Sequence, residues 1–188
     1  MTEPYEFRYP AGCPVKVYDM ALGAFYQRKR VLKHRKKVKP YSSGPMRLLL
    51  YSIVYLFIGA VPLTIREATQ PFRIFLYCWL GFSLWIMLMS VISIFTTRRL
   101  MKRYKEHSRE PGTFRFDDAG VSDENDSGAI LKTPWQEYEC CIVTSEVIVL
   151  IFKTSKIYFL EMTPDHLRHM ETALRCFGKE STICYVMY

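Results

Sequence analysis

Two histidines and three carboxylates stand at spacings that could hold a metal ion. His166 and His169 lie three residues apart in a segment with helical periodicity, so both could face one ion. No third ligand stands at metal spacing, and we expect both rings to face solvent. Asp123, Glu124 and Asp126 share one turn, but its sequence lacks the twelve-residue calcium-loop pattern. We therefore predict no metal site and no cofactor.

The adjacent thiols of Cys140 and Cys141 could carry redox chemistry. Neighbouring residues of a strand point to opposite faces of a sheet, so we expect one thiol in the core and the other half exposed. The six cysteines form no CxxC pair, which favours a reducing compartment. Motifs of serine hydrolases, phosphate-binding loops, zinc proteases and dinucleotide-binding folds are missing from the sequence. We expect no catalytic residue, and a protein that is not an enzyme.

Two uncharged segments, residues 48–65 and 74–97, dominate the first half of the 188-residue chain. As helices they would measure about 27 Å and about 36 Å, against about 30 Å for the hydrocarbon core of a bilayer. The remaining chain is too small and too polar to bury both of them all round. The short connection, residues 66–73, makes an antiparallel hairpin. We predict a two-helix membrane anchor within residues 46–98.

Basic residues flank this hairpin on its outer ends. Fifteen lie within about twenty residues of the spans, against two in the connection, so both termini should be cytoplasmic in a multi-pass protein of the inner membrane. The residues that define this orientation are Arg28, Lys29, Arg30, Lys33, Arg35, Lys36, Lys37 and Lys39 before the spans, and Arg98, Arg99, Lys102 and Arg103 after them. Topology accounts for the basic runs, so we expect no nucleic-acid partner.

The N-terminal region, residues 1–45, is predicted to hold a short strand and a basic amphipathic helix. Tyr18, Leu22, Phe25 and Leu32 recur at spacings of one helix face. Two interpretations stay open for this helix. Its basic part, residues 28–39, could lie on anionic lipid headgroups, or its apolar face could pack on the cytoplasmic domain.

After a basic linker at residues 99–110, the pattern changes to short strands and turns. Residues 111–180 contain about six strands and a closing helix that Thr163 caps and Pro164 begins. This order predicts an α+β fold, in which a small curved sheet or partly closed β-barrel is plugged by the C-terminal helix. Residues 181–188 are expected to be a tail.

The order of elements along nearly the whole chain resembles the YcxB-like family of bacterial membrane proteins, whose cytoplasmic domain is similar to pleckstrin-homology (PH)-like folds. The residues that carry the resemblance are Phe114, Phe116, Asp117, Asp118, Gly120, Trp135, Tyr158 and the pair Thr163-Pro164. The resemblance implies a PH-like cytoplasmic domain and supplies no catalytic residue.

Charge favours a protein partner for the cytoplasmic domain. Residues 111–188 carry 12 acidic and 7 basic side chains, whereas residues 1–110 carry 6 acidic and 19 basic ones. PH-type lipid binding needs a basic pocket, so we expect a membrane-anchored interaction module that binds a protein through residues 111–180, as an immunity or accessory protein would. The alternative is an oligomeric channel or transporter accessory subunit, with Ser52, Ser83, Ser90 and Ser93 as its polar stripe.

Overall fold

The computed structural model describes residues 3–61, 69–106 and 110–186. Within these ranges the chain forms four α-helices and eight β-strands in two four-stranded sheets, which confirms the expected α+β composition. The ends of the first predicted span (residues 62–65), its connection up to residue 68 and linker residues 107–109 lie outside these ranges.

The first sheet joins the start of the chain to its middle. Strand β1 (Tyr5–Tyr9) pairs antiparallel with β2 (Gly112–Asp117), and β3 (Gly120–Asn125) and β4 (Ile130–Pro134) complete the order β1-β2-β3-β4. Alternate residues of β1 and β2 point inward, as strand geometry requires, so Phe7, Phe114 and Phe116 are buried. The sheet therefore depends on a strand that lies about a hundred residues from its partner in the sequence.

The second sheet has the order β7-β6-β5-β8, with β5 at Tyr138–Thr144, β6 at Val147–Phe152 and β7 at Ile157–Glu161. Helix α4 (Pro164–Cys176) follows, and its first turn is capped as predicted, because the Thr163 hydroxyl accepts a 3.1 Å hydrogen bond from the His166 amide. Strand β8 (Ile183–Val186) then pairs parallel with β5. The expectation of a tail after residue 180 is wrong, since β8 forms part of the sheet and its last residue, Val186, is buried.

The two sheets remain separate in the described residues, so the expected partly closed barrel is also wrong. The edge strands β4 and β7 share no ladder of backbone hydrogen bonds. Instead the Tyr158 hydroxyl of β7 bridges them, at 2.8 Å from the Thr133 hydroxyl and 2.9 Å from the Leu131 carbonyl oxygen. One side chain thus replaces the closure that a continuous sheet would give.

Two apolar clusters cover the two faces of the second sheet. One contains Phe114, Phe116, Leu150 and Leu174 and joins both sheets to α4. The other packs helix α1 (Val15–His34) against the opposite face of β5 and β6. Every residue of β6 is buried because it is covered on both sides. The apolar face of α1 therefore packs on this sheet, as one of the two interpretations of this helix expected.

The chain divides into two compact units, one of residues 1–41 and 103–188 and one of residues 42–102. The second unit is therefore an insertion between β1 and β2. The N-terminal residues, which the sequence places in a division of their own, belong to the same unit as the region 111–180.

The inserted unit contains helix α2 (Ser43–Ala60) and nearly all of helix α3 (Gln70–Glu106). Both are long and apolar enough to cross a membrane, and only 11% of each apolar window is buried, unlike the core helix of a soluble protein. Helix α3 continues through residues 99–106, so most of the predicted linker is helical.

Small residues line the buried face of this unit. In α3, Leu76, Ser83, Ser90 and Thr97 are buried at intervals of seven residues. At Gly59 of α2 an added Cβ would stand 2.5 Å from the Trp79 ring, whose indole donates a 3.0 Å hydrogen bond to the Tyr55 carbonyl oxygen. The two helices approach closely at this point.

Candidate functional site

An open groove of about 320 Å³ lies on the first unit. It lies where the start of α1, the β5–β6 turn and the end of β7 come together. Its walls combine apolar and charged side chains, namely Pro14, Lys16, Val17, Ser145, Glu146, Glu161 and Met162. The groove is open to solvent, which suits a protein segment better than an enclosed small molecule.

The Glu146 carboxylate is the polar group most firmly placed in this groove. The β5–β6 turn holds its backbone, since the amides of Glu146 and Val147 donate to the Thr144 hydroxyl at 3.2 and 3.0 Å. One carboxylate oxygen receives the Lys16 ammonium at 2.8 Å, while the other is buried and has no partner among the described residues. A buried acceptor without a donor costs stability, and a ligand with a donor would remove that cost.

A smaller pocket of about 30 Å³ shares Glu161 with the groove. Tyr9, Cys13, Leu160 and His166 are among its lining residues. The His166 ring is fixed there by a 2.9 Å hydrogen bond between its Nδ1 atom and the Glu161 carbonyl oxygen. Together the two cavities extend from the end of β1 to the β5–β6 turn.

The histidines expected to face solvent do not do so. His169 is half-buried, stacks on Phe7 with ring centroids 5.1 Å apart, and its Nδ1 lies 2.7 Å from the Tyr5 hydroxyl. His166 is half-buried beside Glu161. For His169 the expectation fails because β1, from the far N-terminus, packs under α4, which no local pattern reveals.

The three carboxylates expected to share a solvated turn are separated by strand geometry. Asp123 and Glu124 lie on β3 and point to opposite faces, Asp123 accepting from the Tyr9 hydroxyl. Asp126 forms an exposed ion pair with Arg8 at 2.8 Å. No group of three metal-ligating side chains occurs in the described part of the chain.

Both adjacent thiols are buried, so the expected half-exposed cysteine is another correction. Cys140 faces α1 and Cys141 faces the core between the sheets, since β5 is covered on both faces. Burial, with a smaller effect of the Glu139 carboxylate, raises the pKa of the Cys140 thiol to about 12. Burial also raises the pKa of Cys141. Neither thiol is suited to act as a nucleophile near neutral pH.

The residues that carry the family resemblance build the β2–β3 turn and the core beneath it. The Asp117 carboxylate accepts hydrogen bonds from the amides of Ala119 and Gly120 at 2.8 and 2.9 Å and from the Lys132 ammonium at 3.0 Å. Burial raises its pKa, but these bonds outweigh that effect and hold the pKa below the ordinary value. Asp118 is exposed beside it.

Gly120 and Trp135 lock this turn to β4. A Cβ on Gly120 would stand 2.1 Å from the Thr133 carbonyl oxygen, so only glycine allows β4 to approach. The Trp135 indole donates a 2.7 Å hydrogen bond to the Asp117 carbonyl oxygen, and its ring packs against Phe116 and Phe177. Phe114 and Phe116 lie in the core, so these positions serve the turn and the packing beneath it.

The basic residues expected at the membrane surface fall into two groups. Arg28 is directed into the first unit, where its Nε donates to Glu139 at 3.0 Å and its guanidinium lies 4.5 Å from the centre of the Phe25 ring. Lys39 is half-buried. The remainder are exposed, namely Lys29, Arg30, Lys33, Arg35, Lys36 and Lys37 in the first unit and Arg98, Arg99, Lys102 and Arg103 on α3.

Comparison with known proteins adds little to this description. No family model and no curated protein matches the chain. A solved structure of the Spt16D Pob3N heterodimer is similar with a TM-score of 0.35 and 13% identity, over 42% of this chain and 47% of that one. The match spans about half the length of that chain, and so distant a likeness supports no conclusion about fold or function.

Sequence reasoning missed the groove residues Lys16, Glu146 and Glu161. Each occupies a position that is unremarkable in the sequence. Lys16 lies in the first turn of a helix, Glu146 in a hairpin turn, and Glu161 at the end of a strand. Two glutamates at the ends of apolar strands are the signal that could have drawn attention to them. Their convergence depends on how α1 docks, which the sequence left open.

Proposed function

We propose that this protein is a membrane-anchored interaction module, whose helices α2 and α3 cross the inner membrane and whose first unit binds a protein partner in the cytoplasm. The groove carries the proposal. It is open to solvent, and the Glu146 oxygen without a partner among the described residues calls for a donor. An extended protein segment with a lysine or arginine side chain meets both requirements.

The finer assignment to a PH-like domain is part of the same proposal. An antiparallel four-stranded meander, a second three-stranded meander and a following helix support it. The YcxB-like resemblance and a role as an immunity or accessory protein also stay proposals. The channel alternative gains nothing from the serines, because Ser83 and Ser90 are buried and donate to carbonyl oxygens of their own helix.

Site-specific photo-crosslinking of the full chain in its own membranes tests the groove. A crosslinking residue at Ser145, which is exposed and lines the groove, should give a discrete adduct with another protein. The same residue at Ser181, also exposed but not among the groove residues, is the matched control. We expect Glu146→Gln to reduce the Ser145 adduct, because a neutral amide attracts a cationic donor less.

Three results would overturn the groove as the binding site. They are adducts of equal yield from Ser145 and Ser181, adducts with copies of this chain alone, and a Ser145 adduct that Glu146→Gln leaves unchanged. Extraction of the unmodified protein from membranes by alkaline carbonate would separately overturn the membrane anchor.

A further inference from the structure

The exposed face of α1 carries a row of cations that the cytoplasmic core does not use. Tyr26, Lys29, Arg30 and Lys33 follow one another at helical spacings of three, one and three residues and are all exposed, so they share one side of the helix. The three cations make no ion pair with any residue that the structure describes. The inward-facing Arg28, by contrast, is paired with Glu139.

The chain then turns back and is fixed against the same helix. Arg35 adopts a left-handed conformation with φ of 47° and ends α1. Val38 is buried. The side-chain amide of Gln27 holds the backbone of Lys39, since its Nε2 donates to the Lys39 carbonyl oxygen at 2.7 Å and its Oε1 accepts from the Lys39 amide at 3.3 Å. At Gly23 an added Cβ would stand 2.2 Å from the Lys39 carbonyl oxygen, so the two segments are in close contact.

This return segment fixes two further cations beside the first three. Lys36 and Lys37 lie between the left-handed turn and the anchored Val38, and both are exposed. Their backbone is therefore ordered by the fold before any partner binds, which lowers the entropy cost of using them together. Five cations within nine residues form one surface, which we call the basic surface: Lys29, Arg30, Lys33, Lys36 and Lys37.

Aromatic and apolar groups accompany these cations. Tyr26 is 63% exposed and stacks on Tyr41 with ring centroids 4.9 Å apart, and Leu32 is 40% exposed. Tyr41 stands two residues before the apolar helix α2 begins at Ser43. Tyrosines near the ends of membrane-spanning helices are enriched at the boundary between lipid and water. Lys37 is six residues from Ser43, a reach of at most about 21 Å.

We propose that the basic surface docks on anionic phospholipid headgroups of the membrane that anchors the protein. Phosphate groups complement its unpaired cations, and the chain itself delivers it to the headgroup region. The proposal rests on the membrane insertion included in the proposed function, and it is independent of the groove. Under this proposal, anionic phospholipids are the lipids that hold the first unit against the membrane.

Lysine acetylation of the full chain in lipid nanodiscs tests the proposal. Discs of phosphatidylcholine alone are compared with discs containing added phosphatidylglycerol, and the rate at each lysine is followed by mass spectrometry. We expect acetylation of Lys36 and Lys37 to slow about fivefold in the anionic discs, since one headgroup contact per cation has about that effect on accessibility. Raised salt should restore the rate.

Two variants separate this surface from general charge effects. Arg30→Gln with Lys33→Gln removes two cations beside Lys36 and Lys37 and should abolish most of their protection. Lys153→Gln with Arg168→Gln removes the same charge from two exposed positions elsewhere and should preserve it. Acetylation of Lys16, which is bound to Glu146, reports independently that the first unit is folded.

Three outcomes would overturn the proposal. Acetylation of Lys36 and Lys37 could be equal in the two kinds of disc, which would leave an acidic protein or a nucleic acid as the partner of these cations. Acetylation could slow to the same extent at Lys153 and Lys156. Lys36 and Lys37 could also keep the same protection in the Arg30→Gln, Lys33→Gln variant. A protein that fails to enter either disc contradicts the membrane anchor instead, so the two failures are distinguishable.

Discussion

At the scale of single residues, the ionisable groups of the first unit serve the fold more than chemistry. Asp117 closes the β2–β3 turn, Arg28 joins α1 to β5, and the adjacent cysteines fill two different cores. The expectation that Asp123 and His169 face solvent depended on local spacing alone. It fails because their partners Tyr9 and Tyr5 come from a strand more than a hundred residues away.

Asp117 predicts a loss of stability in acid. Its pKa lies below the ordinary 3.8 in the folded state, so its stabilisation is complete above that value and is lost as pH falls through the folded pKa. Asp117→Asn should lower the free energy of unfolding near neutral pH by about 1 kcal/mol, with a difference that shrinks below about pH 4. Unfolding midpoints of the detergent-solubilised chain between pH 3 and 7 measure this. Exposed Glu124→Gln is the control, and a constant difference across the range would contradict the assignment.

The thiols predict selective alkylation. With a pKa near 12, Cys140 carries roughly one thiolate in ten thousand at pH 8, and burial protects it further. Iodoacetamide should therefore label the exposed Cys176 much faster than Cys140 or Cys141 in the folded protein. All three should react alike in denaturant. Mass spectrometry of the labelled peptides decides, and rapid labelling of Cys140 in native conditions would show that α1 does not cover it.

At the scale of elements, the sequence predicts most of what is local. The three strands after Tyr138 and the capped helix α4 are confirmed, because alternation and capping are short-range signals. Two features could not be predicted from the sequence. Strand β8 is only four residues long, and its parallel pairing with β5 depends on α4 returning the chain to that edge. The apolar face of α1 suits a lipid surface and a sheet equally well, so its amphipathic pattern left two environments open.

The docking of α1 predicts different effects for two neighbouring arginines. Arg28→Gln breaks a half-buried ion pair with Glu139, in which the side chains are 22% and 26% exposed, and should lower the free energy of unfolding by about 1 kcal/mol. Arg30→Gln, on the exposed face, should change it by less than about 0.5 kcal/mol. Chemical denaturation of the detergent-solubilised chain compares them. Equal effects would mean that the pair contributes nothing to holding α1 on the sheet.

At the scale of the whole molecule, folding redistributes the charge that the sequence separates. Residues 1–41 carry ten basic and three acidic side chains, and they belong to the same unit as the acidic region 111–188. The expectation that lipid binding is unfavourable considered only the acidic residues 111–188 and left out the basic residues 1–41. The folded unit instead has a groove lined by Glu146 and Glu161 and a separate basic surface. The two proposed partners, a protein and a membrane, would therefore bind different parts of one unit.

The β1–β2 pairing predicts the membrane topology independently of charge counting. These strands are hydrogen-bonded neighbours on either side of the inserted helices. If α2 and α3 cross a membrane as proposed, both ends of the helix pair must therefore lie on one side of it. A membrane-impermeant maleimide should label Thr69→Cys in intact cells and the native Cys176 only after permeabilisation. The reverse pattern would place the folded unit outside the cell.

Strand β1 leaves the ribosome before the helices do, yet its partner β2 is made only after them. If α2 entered the bilayer and α3 stayed behind, the two strands would be on opposite sides, and no sheet could form. If the helices cross a membrane as proposed, a complete first sheet can therefore form only in molecules in which both helices have inserted. In a molecule without this pairing, Phe7, Phe114 and Phe116 would lose the cover that the sheet gives them, and we expect quality-control proteases to degrade it.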